Sequence, residues 1–83
     1  MDGLVYVIHE RDLKDNEIII IGVASTVLDA DYMINEYYRD FVVISHRQVD
    51  DGGVEWVKLI KGVDQFGEFN YELTLLWFTI DSI

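Results

Sequence analysis

The hydrophobic residues of this chain fall into six short runs, and five of them have the character of β-strands. These five are rich in Ile, Val and aromatic residues, and they occupy 4–9, 17–24, 41–46, 54–60 and 69–80. Such residues pack well on a pleated sheet. Segments typical of turns and loops separate several of the runs, at 10–17, 50–53 and 62–67. The pattern restricts the chain to a fold built on a sheet.

The sixth run has a helical period. Thr26 is a good helix cap, and Asp29, three residues later, suits the positive end of a helix. One face of the helical wheel collects the apolar residues Val27, Ala30, Met33, Ile34, Tyr37 and Tyr38. We predict a helix over 26–39. The element order is then ββαβββ, an α+β fold in which one helix packs across a mostly antiparallel five-stranded sheet. Strand orders 2-1-3-4-5, 2-1-5-4-3 and 1-2-3-4-5 all fit.

The length of 83 residues predicts a single domain over 1–83. The chain has no cysteine, so it has neither disulfides nor thiolate chemistry. A domain of this size without such links depends on packing or on a partner.

One helix leaves the other face of the sheet to be covered. Residues 18–21 and 75–78 are apolar without alternation, so they offer apolar groups to both faces of a sheet. Leaving four or five such side chains in water costs an amount comparable to the stability of a small domain. Three solutions remain open: the sheet curls on itself, a second copy covers it, or a foreign partner covers it.

The charge of the chain restricts its partners. Sixteen acidic residues face six basic ones, which gives a net charge of −10. Nucleic acids and anionic lipids bind through Lys and Arg, so we expect neither direct nucleic-acid binding nor membrane binding. A protein partner with a basic surface fits, and a homodimer is compatible. No run approaches the ~20 apolar residues of a membrane span, and the amino-terminal residues lack the basic region of a signal peptide. We therefore expect a cytoplasmic protein, in the host cytoplasm if a phage encodes it.

No arrangement of residues indicates catalysis, and we predict no catalytic, cofactor-binding or metal-binding residue. His9 and His46 are isolated at predicted strand ends, and Ser45 and His46 are neighbours that a strand would point to opposite faces. Asp12, Asp15 and Glu17 lack the spacing of a calcium loop. We expect a protein that is not an enzyme.

The predicted helix carries an acidic stripe opposite its apolar face. Asp29, Glu36 and Asp40 fall within about 40° of one another on the wheel. Together with the Asp50-Asp51 turn they are candidates for imitating the phosphates of nucleic acid in a basic groove, although a plain solvated face has the same pattern. Binding of this kind also needs aromatic anchors. Tyr32, towards the polar side of the helix, and Trp77 or Trp56 are the candidates.

Two stretches resemble known sequences. Tyr6-Val7-Ile8-His9 and the stretch 21–26 (IGVAST), followed by a helix that contains Glu36-Tyr37-Tyr38, resemble a group of short uncharacterised bacterial and phage proteins. The resemblance covers about the first half of the chain and implies no activity. In size, charge and lack of Cys and Pro, the chain is similar to small acidic phage inhibitors, such as DNA mimics and anti-CRISPR proteins.

These observations lead to two hypotheses. The first is a non-enzymatic, acidic protein-binding module, an inhibitor of a host nucleic-acid enzyme or defence system of the kind that phages encode. The alternative is a homo-oligomeric structural or accessory domain without an inhibitory role.

Overall fold

A computed structural model describes residues 2–81 and shows the α+β fold that the sequence predicts. The elements in chain order are β1 (Asp2–Asp12), β2 (Ile18–Ala24), α1 (Val27–Tyr37), β3 (Val42–Asp51), β4 (Val54–Asp64) and β5 (Gly67–Asp81). The five strands form one sheet in the order β2-β1-β5-β4-β3, and every neighbouring pair is antiparallel. This order is the second of the three that the connections allow.

The strands are longer than predicted because polar residues continue them. The loop predicted at 10–17 is wrong in its first part, since Glu10, Arg11 and Asp12 all pair with β5. Asp50 and Asp51 likewise end β3 instead of forming the turn. The hairpin loop predicted at 62–67 shortens to residues 65–66 between β4 and β5. The backbone N–H and C=O groups of paired strands form hydrogen bonds whatever side chains the residues carry. A run of polar residues can therefore remain part of a strand.

The helix begins as predicted and buries a narrower face than predicted. The Thr26 hydroxyl accepts a hydrogen bond from the Asp29 backbone N–H at 3.0 Å. Ala30 and Ile34 are buried against the sheet. Met33 and Tyr37, which we expected on the buried face, are 37 % and 61 % exposed. The reason is the position of the helix over β2 and β1, because β2 is an edge strand and leaves one flank of the helix unsupported.

Aromatic residues fix the end of the helix to the sheet. The ring of Tyr38 lies 5.3 Å from that of Phe41, which in turn lies 5.8 Å from that of Tyr71 on β5. The Tyr38 hydroxyl donates a hydrogen bond to Glu10 Oε1 on β1 at 2.6 Å. Phe41 also covers Gly62 on β4. These contacts set the point at which the chain leaves the helix for β3.

The helix covers one face of the sheet and leaves the other face open. Ile8 and its β5 partner Leu75 face the helix and are fully buried. Their neighbours Val7 and Leu76 also pair, and the pleat points them to the opposite side. We call this side the far face, and its apolar side chains include Val5, Val7, Val57, Leu59, Leu76 and Phe78. Within residues 2–81 the one helix packs on the other side, so the far face has no covering element.

Candidate protein-binding surface

The outer side of α1 is acidic, as the helical wheel predicts, but the helix ends at Tyr37 and Asp40 lies in the turn after it. Asp29, Glu36 and Asp40 are all exposed. The two ion pairs formed within residues 2–81 lie on the sheet, between Arg11 and Glu72 and between Lys61 and Glu68. None of the three acids of the stripe therefore forms an ion pair within the described chain.

Aromatic side chains lie beside these acids. Tyr32 is 67 % exposed, as expected for a residue on the polar side of the helix. Tyr37 is exposed as well, and together the two rings line a shallow concavity of about 420 Å³ with Ile21, Met33 and Glu36. We call Asp29, Tyr32, Glu36, Tyr37 and Asp40 the acidic helix surface. Exposed carboxylates and exposed aromatic rings therefore lie side by side on this surface.

Sequence reasoning missed Tyr37 as a member of this surface and Met33 as a residue that lines its concavity. Their helical spacing places them beside the buried arc, and only the location of the helix at an edge of the sheet exposes them. Neither residue carries a signal of this in the sequence, because strand order is needed to know where the helix lies.

Asp50 and Asp51 lie apart from the acidic helix surface. They end β3 just before the Gly52-Gly53 turn, at the opposite edge of the sheet from β2. Asp50 has a positive φ of 53°, a conformation that Asp tolerates. Three strands separate β2 from β3, so the turn and the start of the helix are about 19 Å apart across the sheet. The structure therefore does not join these acids into one cluster.

The two tryptophans have different environments. Trp77 lies beside this turn, because its backbone N–H donates to the Gly53 carbonyl at 2.8 Å. Its side chain is half-buried and shares a sheet face with Tyr6, its partner on β1. Trp56 is only 3 % exposed, which makes it a core residue and not an anchor for a partner.

The loop acids have local structural partners. Asp12 Oδ1 accepts the Lys14 N–H at 2.9 Å, and Asp15 Oδ1 accepts the Glu17 N–H at 3.0 Å. These are the usual hydrogen bonds of Asp in turns. Both residues line a groove of about 720 Å³ between this loop and the β4–β5 hairpin. Across residues 2–81, no three His, Asp or Glu side chains are placed to hold a metal ion together.

Neither histidine lies in an arrangement for catalysis. His9 is half-buried on the far face opposite Thr74. Burial lowers its pKa, nearby Arg11 lowers it further, and Glu72 opposes both effects. His46 is exposed on the edge strand β3, with its ring edge-on to Trp56 at 6.0 Å. Ser45 pairs with Leu59 and His46 with Lys58, so the two residues point to opposite faces.

One buried polar pair escaped prediction. Glu10 and Tyr38 are 9 % and 6 % exposed, and their hydrogen bond lies between the helix and the sheet. Burial raises the pKa of Tyr38 far above its ordinary value, and the bond to Glu10 raises it further. Burial also raises the pKa of Tyr71, with smaller contributions from Glu10 and other nearby charges. The pair supplies an oriented contact in the core and does not face solvent.

Comparisons with known proteins give no relative: no family model, no curated protein and no solved structure matches this chain. In the described part of the chain, no helix has the length and apolar character needed to cross a membrane. The geometry of the surface is therefore the main support for a functional proposal.

Proposed function

We propose that this protein is a non-enzymatic binding module that attaches through its acidic helix surface to a basic patch on another protein. The target we propose is a nucleic-acid enzyme or defence protein of the host cytoplasm, whose groove for DNA or RNA is basic. In this role the chain acts as a phage-type inhibitor, because it occupies the groove in place of the nucleic acid.

The observation that carries the proposal is the placement of acids without ion-pair partners beside exposed tyrosines, on α1 and the turn after it. Glu36 lines the concavity together with Tyr32 and Tyr37. An arginine side chain suits such a site, because its guanidinium binds carboxylates and stacks on aromatic rings. Basic grooves of nucleic-acid enzymes are rich in this residue.

The net charge of the whole chain also favours association with a basic partner. A net charge of −10 on 83 residues attracts a basic partner from a distance and raises the rate of encounter. Salt screens these interactions over about 10 Å at ~0.1 M ionic strength. Binding through the acidic helix surface should therefore weaken steeply as salt increases.

The test compares three forms of the immobilised full-length chain in capture from a bacterial lysate at low and high salt. One form is the natural sequence. The second carries Asp29→Lys, Glu36→Lys and Asp40→Lys. The third is the matched control, Glu17→Lys, Glu55→Lys and Glu68→Lys, which changes the net charge equally through residues outside the helix.

We expect the natural chain and the control to retain the same nucleic-acid-binding proteins, and added DNA to release them. The helix variant should lose them. If the helix variant retains what the natural chain retains, or if DNA fails to compete, the proposal is wrong. A further variant, Asp50→Asn with Asp51→Asn, tests whether the separate turn and the nearby Trp77 belong to the same contact.

A second candidate function is a homo-oligomeric structural or accessory domain. The uncovered far face favours it, since half-buried and exposed apolar side chains line that face. This candidate predicts self-association without capture of any nucleic-acid-binding protein.

A further inference from the structure

We propose that a second copy of this chain covers the far face of the sheet, so that two sheets pack face to face. This interface does not involve the acidic helix surface, because the helix packs on the other side of the sheet. Dimerisation and inhibitor function can therefore fail separately.

The first argument is the apolar character of the far face. Val5 pairs with Phe78 and Val7 pairs with Leu76, which places four apolar side chains together on the two central strands. Val57 and Leu59 on β4 extend this patch sideways. Phe78 is 50 % exposed, whereas Leu73 and Leu75 on the covered face are fully buried. The inner faces of paired sheets in β-sandwiches have this apolar composition.

The second argument is charge, and it favours a second copy over a basic partner. Two chains with a net charge of −10 repel each other unless their contact surfaces are locally neutral. On the far face Arg11 is paired with Glu72 at 3.2 Å, and Lys61 is paired with Glu68 at 2.8 Å. Arg47 shares this face through its pairing with Val57. A near-neutral, apolar surface offers little attraction to a basic partner and little repulsion to a copy of itself.

The third argument is area. The described chain extends 49 Å along its longest axis, and five strands span about 19 Å. A stable interface of standard size takes ~800 Å² from each partner. A sheet face of these dimensions supplies an area of that order, and symmetric dimers use the same patch twice.

The test is sedimentation equilibrium of the full chain from micromolar to millimolar concentration. We expect a reversible transition from the 9.7 kDa chain to twice that mass. Added salt should strengthen the dimer, because it screens the repulsion between the acidic surfaces. Salt should weaken attachment of a basic partner, so the two kinds of binding respond in opposite directions.

Two substitutions locate the interface. Phe78→Lys on β5 and Val23→Lys on β2 each alter an exposed far-face residue, 50 % and 53 % exposed, and both should keep the fold. Each should raise the dimer dissociation constant at least about tenfold, equivalent to about 1.4 kcal/mol. The matched control is Val43→Lys, also 53 % exposed but paired with Ile60 on the helix side. Circular dichroism confirms folding of each variant.

Three results would overturn the inference. One is a chain that stays monomeric at millimolar concentration. Another is a dimer that tolerates both far-face lysines, and the third is a dimer that the Val43→Lys control weakens equally. The last result would indicate association through the edge strand β3.

Discussion

Tyr38 and Glu10 form the one buried polar contact that joins the helix to the sheet in the described chain. A carboxylate that loses its partner in such a place keeps the cost of its desolvation. Tyr38→Phe should therefore lower the free energy of unfolding by about 1.5–3 kcal/mol, measured by urea denaturation. The double variant Tyr38→Phe with Glu10→Leu should recover part of this loss, because neither polar group is then buried alone. A single variant as stable as the natural chain would show that the bond contributes nothing.

His9 gives the stability of the protein a dependence on pH. Its pKa in the folded chain lies below its ordinary value of 6.5, mainly because of burial. Between the two values the unfolded chain binds the proton more readily, so the free energy of unfolding falls as pH drops below about 6.5. Above that pH, His9 contributes no slope.

Thermal and urea unfolding between pH 7.5 and 5.5 can measure this effect, with a limit of about 1.4 kcal/mol per pH unit. His9→Gln should flatten the profile in this window. His46→Gln is the control and should leave the slope in place. An unchanged slope in His9→Gln would assign the pH dependence to other groups.

The residues that the sequence misplaces are those whose environment depends on distant parts of the chain. Glu10 reads as a loop residue because Glu10, Arg11 and Asp12 are charged. Its burial depends on Tyr38, which lies 28 residues away. The exposure of Asp29 and Glu36 follows from helical period alone, and that part of the candidate surface was therefore predictable. Asp40 is exposed in the turn beyond the helix, which ends at Tyr37, two residues before the predicted end.

The crossing from α1 to β3 depends on a close contact between Phe41 and Gly62. A Cβ added to Gly62 would lie 2.5–2.8 Å from three ring atoms of Phe41. Gly62→Ala should lower the free energy of unfolding by about 1–3 kcal/mol, as measured by denaturant titration. Gly3→Ala on β1 is the control, since nothing lies within 4 Å of the Cβ it would add.

A second substitution tests whether the clash is the cause. In a Phe41→Leu background the smaller side chain leaves room, so Gly62→Ala should cost much less there than in the natural chain. Equal costs in the two backgrounds would contradict the contact and indicate a backbone effect instead.

The number and type of the elements could be predicted, whereas their ends could not. Runs rich in Ile, Val and aromatic residues indicate five strands, and the helical period after the Thr26 cap indicates one helix. The ends of β3, β4 and β5 lie among polar residues that remain paired with a neighbouring strand. A strand ends where its pairing with a neighbouring strand ends, so the sequence of one segment alone does not indicate its last residue.

The topology of the whole molecule makes its folding slow for its size. The central pair joins β1 to β5, with Asp2 opposite Asp81, and long-range pairings of this kind fold in milliseconds to seconds. The chain contains no proline, so it has no step limited by proline isomerisation. Stopped-flow fluorescence of Trp56 and Trp77, at a concentration that keeps the chain monomeric, should show refolding complete within seconds. A phase of tens of seconds would contradict this prediction.

Strand order is the property that the sequence left most open. Each of the three orders satisfies the hairpins and the helical connection, and they differ only in which strands meet in the middle of the sheet. The observed order places β5, with its Leu75-Leu76 pair, at the centre. A central position accounts for the apolar side chains of residues 75–78 on both faces of the sheet. The apolar pattern alone does not identify β5 as the central strand, because an order with another strand at the centre is compatible with it.

The central position of β5 also has a consequence for synthesis on the ribosome. Synthesis of β1, β2 and the helix is complete at Tyr37, but β5, the second neighbour of β1 in the sheet, is the last of the described strands to be made. At ~5–20 residues per second, the next 44 residues, from 38 to 81, take about 2–9 s. During this time Ile8 and the residues around it have an open edge on one side. A chain interrupted before β5 has the β1–β2 and β3–β4 pairs but lacks the strand that lies between β1 and β4 and joins the two pairs into one sheet.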